Sequence, residues 1–173
     1  MLFKTYQKLL GASCLALYLV GCGGGGGGES PIEISKNSDG EFQIRSKADN
    51  ITIQGVKLNR DNCVVNFVLV RETVQDALSQ MDALSQMDAL LSQITPISMQ
   101  DFKDMASVYK EFNNKERVAN IENKISQLEQ KGVMMEPQTL KFGESLKGFS
   151  QRCDIIEATI QTDKGAWTFN FNR

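Results

Sequence analysis

The chain of 173 residues contains no histidine. That absence removes the usual general base, the usual zinc ligand, and every Ser-His-Asp or Cys-His arrangement. No CxxC pair occurs among its four cysteines, which argues against a redox or metal pair. No apolar run approaches the ~20 residues a membrane-spanning helix needs. Basic residues are not in excess either: 19 Lys and Arg stand against 21 Asp and Glu. Such a balance argues against a nucleic-acid partner and against electrostatic attraction to an anionic membrane.

The remaining chemical signals are weak. Gly143-Glu-Ser-Leu-Lys147 nearly matches GxSxG, but lysine stands where a nucleophile elbow needs its last glycine, so it reads as a loop. Asn37-Ser-Asp-Gly-Glu41 has the start of a calcium loop without the terminal bidentate glutamate, and reads as a turn. A carboxylate pair could serve glycoside hydrolysis. With 21 acids, however, any pair is selectable after the fact. The expectation is therefore no catalytic residue, no metal and no cofactor.

What is present is concentrated at the front. Met1–Lys8 carries two lysines and no acid, and Leu9–Val20 is an apolar run of about a dozen residues. That length is right for the h-region of a signal peptide. The run closes on Leu19-Val20-Gly21-Cys22 and gives way to Gly23–Gly28. These residues resemble the lipobox of bacterial lipoproteins. The resemblance implies that Cys22 is lipidated on its sulfur, that cleavage falls just before it, and that its new amine is acylated. It implies a membrane association through the N-terminal lipid, and a palmitate-type modification. Residue 23 is Gly rather than Asp, which by the same resemblance favours the outer membrane; periplasmic and surface-facing orientations both stay open. The resemblance covers about 22 residues and is silent on fold and activity.

Removal of residues 1–21 takes Lys4 and Lys8 away. It leaves 152 residues with 17 basic against 21 acidic side chains, or −4. That is enough chain for one domain with a real core. Residues 22–40 read as the lipidated cysteine and a flexible Gly-rich tether. Residues 41–173 read as a single α+β domain with a helical insertion at 71–131. Once Cys14 is discarded and Cys22 lipidated, Cys63 and Cys153 form an even pair in an oxidising compartment. One disulfide between them closes a 90-residue loop, worth on the order of 4–5 kcal/mol in the loop-entropy model.

The β signals flank the insertion. Ile51–Leu58 and Cys63–Val70 read as a hairpin around Asn59–Asn62, with a bulge at Gly55 where the alternation shifts phase. Cys63–Val70 is apolar on both faces but for Asn66, the pattern of a central, doubly covered strand. Phe42 and Ile44 mark a short edge strand, and Leu140–Phe142 is a short strand candidate. Cys153–Thr162 places Ile156, Ala158 and Ile160 on one face; Asp163-Lys164-Gly165 turns the chain; Trp167, Phe169 and Phe171 share a face of the returning strand. Val65, Phe67, Ile156, Trp167 and Phe169 are the core candidates.

The insertion opens on a tandem repeat, DALSQM at 76–81 and 82–87 and DALLSQ at 88–93. Six residues turn a helix by about 600°, or 240° net, so identical positions do not stack. The repeat therefore makes a helix with a stripe of Val70, Val74, Ala77, Met81, Leu84 and Leu91, not a strict coiled-coil seam. Thr95-Pro96 breaks it. Ser98 with Asp101 has capping-box spacing, and Phe102, Met105, Tyr109 and Phe112 follow at helical intervals. Asn113-Asn114 breaks the phase before Val118, Ile121, Ile125 and Leu128, and Gly132 caps the end. The whole reads as an antiparallel sheet of two hairpins, interrupted by two to three helices and clamped by one disulfide. Functionally it reads as a non-enzymatic, lipid-anchored envelope protein that binds another protein through the projecting helical block. It fits an envelope, secretion or conjugation assembly, with a surface-exposed adhesin or immune-facing lipoprotein as alternative and a wall-acting enzyme as a distant third.

Overall fold

The computed structural model describes residues 29–80 and 85–171, with the backbone alone at 79, 80, 85 and 86. Cys22, the signal region and the glycine run lie outside these residues, as do Met81 and Leu84 of the helical stripe. The described chain is α+β, with seven strands in two antiparallel sheets and four helices.

The first sheet holds β1 (Ile32–Lys36), β2 (Glu41–Ser46) and β5 (Ser145–Phe149), in the order β1-β2-β5. The turn between β1 and β2 is Asn37–Gly40. Asn37 Oδ1 accepts from the backbone N–H groups of Asp39 and Glu41. Gly40 has φ +84°, and a Cβ there would meet the Ser150 carbonyl at 2.4 Å. The calcium-like segment is thus an Asx-type turn. Two expectations change here. Ile32–Lys36 lies within the stretch read as tether and is a strand. β2, read as an edge, is central, because Phe42, Ile44 and Ser46 alternate inward between two partners.

The second sheet holds β3 (Ile51–Leu58), β4 (Gln138–Leu140), β6 (Glu157–Thr162) and β7 (Gly165–Asn170), in the order β4-β3-β6-β7. The bulge in β3 falls between Ile53 and Gly55. It lets Ile51, Ile53, Val56 and Leu58 all face inward. Phe142 lies beyond the end of β4 and is 69 % exposed. Both sheets share one core, in which Ile32 and Ile44 meet Ile53, Leu58, Ala158 and Ile160. Val65, Phe67 and Phe169 pack half-buried against it, and Trp167 is half-buried on β7. Ile156 is not on the inner face: it precedes β6 and is 47 % exposed, and its neighbour Ile155 takes the buried place.

Residues 64–69 do not form a strand. Only a bridge from Leu58 to Cys63, and one from Asn66 to Phe149, survives of the expected hairpin arm. β4 pairs only with Ile51–Ile53, and the returning segment starts to pair with β3 at the Leu58–Cys63 bridge, but the N–H groups of Phe67 and Val68 are bonded to the Asp101 carboxylate instead of to a strand.

The helical insertion has four helices: α1 (Val70–Gln80), α2 (Ser85–Leu91), α3 (Met99–Glu111) and α4 (Lys115–Gln130). The capping box at Ser98 and Asp101 is present in full, and Asn114 caps α4 by accepting from Arg117 N–H. Asn113 takes φ +55° in the turn, and Gly132 takes φ +65° after α4. The block carries a core of its own. Val70, Val74, Met87, Leu91, Met105, Val108 and Tyr109 form a second core, with Met87 only 2 % exposed. Two turns from separate repeat copies thus reach one core from different positions in the repeat, as the 240° rotation requires.

Candidate functional site

The site begins with the fate of the apolar segment between β3 and α1. Asn59 opens it in a left-handed turn, with Asn59, Arg60 and Asp61 at φ 49°, 58° and 66°. Three consecutive non-glycine residues in this region carry a conformational cost. Side-chain bonds offset it. Asn59 Nδ2 donates to the Asp154 carbonyl at 2.8 Å, to Cys63 Sγ at 3.1 Å and to Cys153 Sγ at 3.4 Å. Its Oδ1 accepts from the N–H groups of Ile156 and Glu157. Cys63 and Cys153 lie at disulfide distance, with Cα atoms 5.9 Å apart. Asn59 therefore knits the turn, both sulfurs and the entry to β6 into one corner.

The far end of the segment is held by Asp101, which is fully buried. Its carboxylate accepts from the N–H groups of Phe67 (3.1 Å), Val68 (3.4 Å), Ile97 (3.1 Å) and Ser98 (2.8 Å) and from Asn66 Nδ2 (3.1 Å). A residue read only as the second half of a capping box supplies the acceptors that a strand partner would have supplied. It joins the segment to the N-terminus of α3, where a carboxylate is also favoured by the helix dipole. Asn66 Nδ2 also donates to Asp104 Oδ2 at 3.0 Å.

Latched at both ends, the segment stands as a ridge between two grooves. One, of about 330 Å³, runs between the Asn62–Val65 stretch and the Met99, Lys103 and Met134 side. The other, of about 370 Å³, is bounded by Leu69, Arg71, Asp104 and Arg152. Val64 lines both and is 52 % exposed; Leu69 is 41 % and Met134 36 % exposed. Apolar groups ringed by charges of both signs are the ordinary make-up of a protein-binding patch. A third groove, of about 470 Å³, lies at the end of the helical core beside Tyr109 and Phe112. Burial pushes the Tyr109 phenol above its ordinary range, with Arg117 opposing and Asp88 reinforcing the shift.

Catalytic constellations fare differently. Ser145 of the GxSxG-like segment begins an edge strand rather than a strand-to-helix turn. Ser107-Val-Tyr-Lys110 on α3 has the SxxK spacing of a serine–lysine pair, a match the residue pattern alone could have flagged. Yet Lys110 is exposed and pairs with Glu122 at 2.8 Å, while Ser107 Oγ accepts from Arg71 at 2.7 Å. A desolvated lysine base is not what this geometry provides. Among the described residues no group of three or more Cys, Asp or Glu side chains could hold a metal ion, and no helix is long and apolar enough to cross a membrane. Asn59 and Asp101 are the organising residues that sequence reasoning missed. No protein-family model matches the chain, and neither a curated protein nor a solved structure matches it significantly.

Proposed function

We propose that the protein is a non-enzymatic bacterial envelope lipoprotein that binds another protein, with the membrane reached through lipid on Cys22. The observation that carries the reading is the lipobox-like Leu19-Val20-Gly21-Cys22 followed at once by Gly23–Gly28. Two acyl signals suffice for stable anchoring, so no basic surface is needed. The outer membrane is the favoured location, by the residue after Cys22. Support for a binding rather than catalytic role comes from the ridge: Val64 and Leu69 stay exposed on a segment latched by Asn59 and Asp101, and Met134 is exposed across the groove from Val64.

The test has two arms. Cys22→Ser should shift the protein from the detergent phase to the aqueous phase and leave the signal uncleaved; unchanged partitioning and an unchanged N-terminus would remove the lipid anchor from the account. Val64→Asp with Leu69→Asp in the full chain should abolish cross-linking to its envelope neighbour while circular dichroism stays as in the parent. Undiminished cross-linking would place the interface elsewhere.

A further inference from the structure

Four strands end the two sheets: β1 and β5 in the first, β4 and β7 in the second. Natural sheets blunt such edges with charge, brevity, proline or cover, because a free row of N–H and C=O groups invites another strand. Three of these edges are blunted. β1 carries Glu33 and Lys36. β4 is three residues long. β5 carries Lys147, and its Phe149 exchanges both backbone bonds with Asn66, at 2.8 and 3.0 Å. β7 has none of these guards. Its six residues, Gly-Ala-Trp-Thr-Phe-Asn, are uncharged, free of proline and in unbroken register with β6.

Which groups face outward follows from one bond. Phe171 N–H donates to the Ile156 carbonyl at 2.9 Å, in step with the β6–β7 register. Alternation then turns the backbone groups of Gly165, Trp167 and Phe169 toward β6, and those of Ala166, Thr168 and Asn170 outward. Among the described residues no strand pairs with that outer edge.

We infer that β7 pairs antiparallel with the β7 of a second copy of this chain, about a two-fold axis at Thr168. This does not depend on the lipid anchor or on the ridge. The occupant is a second copy because the edge is self-complementary. With Thr168 opposite Thr168, all three outward residues of each copy are bonded and the full strand is used. Ala166 falls opposite Asn170, so no charge meets a like charge. On the other face Trp167 falls opposite Phe169, twice by symmetry, and cross-strand aromatic pairs are among the stabilising ones. These are half-buried rings that the parent sheet leaves part-open. On the outer face Thr168 already bonds Thr159 through their hydroxyls at 2.9 Å, and the pairing extends that threonine row across the axis.

The detergent-solubilised full chain tests it. Thr168→Cys should give an inter-chain disulfide on mild oxidation, since Cα atoms in such a pair sit ~5.5 Å apart, within disulfide range. Ala166→Cys and Asn170→Cys should not link singly, but the double variant should. Light scattering should give twice the chain mass for the parent and one chain mass for Thr168→Lys, with circular dichroism unchanged. A parent of single-chain mass overturns the inference. So does Ala166→Cys linking as well as Thr168→Cys, or a Thr168→Lys variant that stays paired. Loss of a different protein from a single-chain complex on Thr168→Lys would also overturn it, and would assign the edge to that protein instead.

Discussion

The sheet core and the helical core are built from different materials. The first is β-branched and aromatic: Ile32, Ile44, Ile51, Ile53 and Ile160 with Phe42, closed at one corner by Cys63 and Cys153. The second mixes Met87, Met105, Leu91 and Tyr109 with Val70, Val74 and Val108, carries no cross-link and draws on a sequence repeat. Isoleucine on a pleated surface has few rotamers and specifies one packing; methionine fills gaps and tolerates change. The helical half can therefore accept a duplicated hexapeptide, whereas the sheet half cannot shift register by one residue without turning its core outward. What joins the halves is polar. Asp101 holds residues 66–68 of the crossing segment to the head of α3. One buried carboxylate thus ties the segment whose Phe67 packs on the sheet core and whose Val68 packs on the helical core.

The comparison can be broken at its strongest point first. Replacing Cys63 and Cys153 together by Ser should lower unfolding free energy by about 4–5 kcal/mol in denaturant melts, because the link closes 90 residues. Free-thiol titration of the non-reduced protein should find neither sulfur reactive beforehand. Asp101→Ala should cost roughly 3–5 kcal/mol, since it strips acceptors from several buried N–H groups at once. Asp101→Asn should lose nearly as much despite its equal size, because an amide nitrogen cannot accept. Met87→Ala should cost about 2–4 kcal/mol through its cavity.

A smaller effect sharpens the contrast by pH. Tyr109 has its phenol raised above the ordinary 10.0 by burial in the helical core. A raised phenol means the folded state holds its proton longer, so stability is intact below pH 10 and falls as pH rises from there toward the folded value. Tyr6 and Tyr18 fall within residues 1–21, so a chain cut before Cys22, as proposed, keeps Tyr109 as its one tyrosine. Its absorbance titration should be shifted upward in the folded protein and return to the ordinary value in denaturant. Val64→Asp should be nearly neutral for stability, within about 0.5 kcal/mol, because the side chain is exposed.

Local chemistry made much of this fold legible. Gly55 announced its bulge by a phase shift, Ser98 and Asp101 their capping box, and Asp163–Gly165 the β6–β7 hairpin; all three depend on residues within a few positions of each other. The pairing of Cys63 with Cys153 was the expectation once the lipobox resemblance set Cys14 and Cys22 aside, and the two sulfurs do lie together. The 63–70 segment was not. Its apolar run has the composition of a buried strand, and only the fold reveals that its N–H groups at Phe67 and Val68 are held by a distant carboxylate rather than by β3. The latch at Asp101 was hidden for the same reason. Its donors at Phe67 and Val68 lie more than thirty positions away. Ile156 failed by a single position: alternation located the buried face correctly from Ala158 onward, but the strand begins at Glu157.

The division into two cores is tested most directly by native-state hydrogen exchange on Met87→Ala. The account predicts faster exchange across α1 and α3 with the amides of Ile53, Leu58, Ala158 and Ile160 as protected as in the parent. Equal loss of protection in β3 and β6 would contradict it, and would show a single cooperative core through which the helices and sheets unfold together.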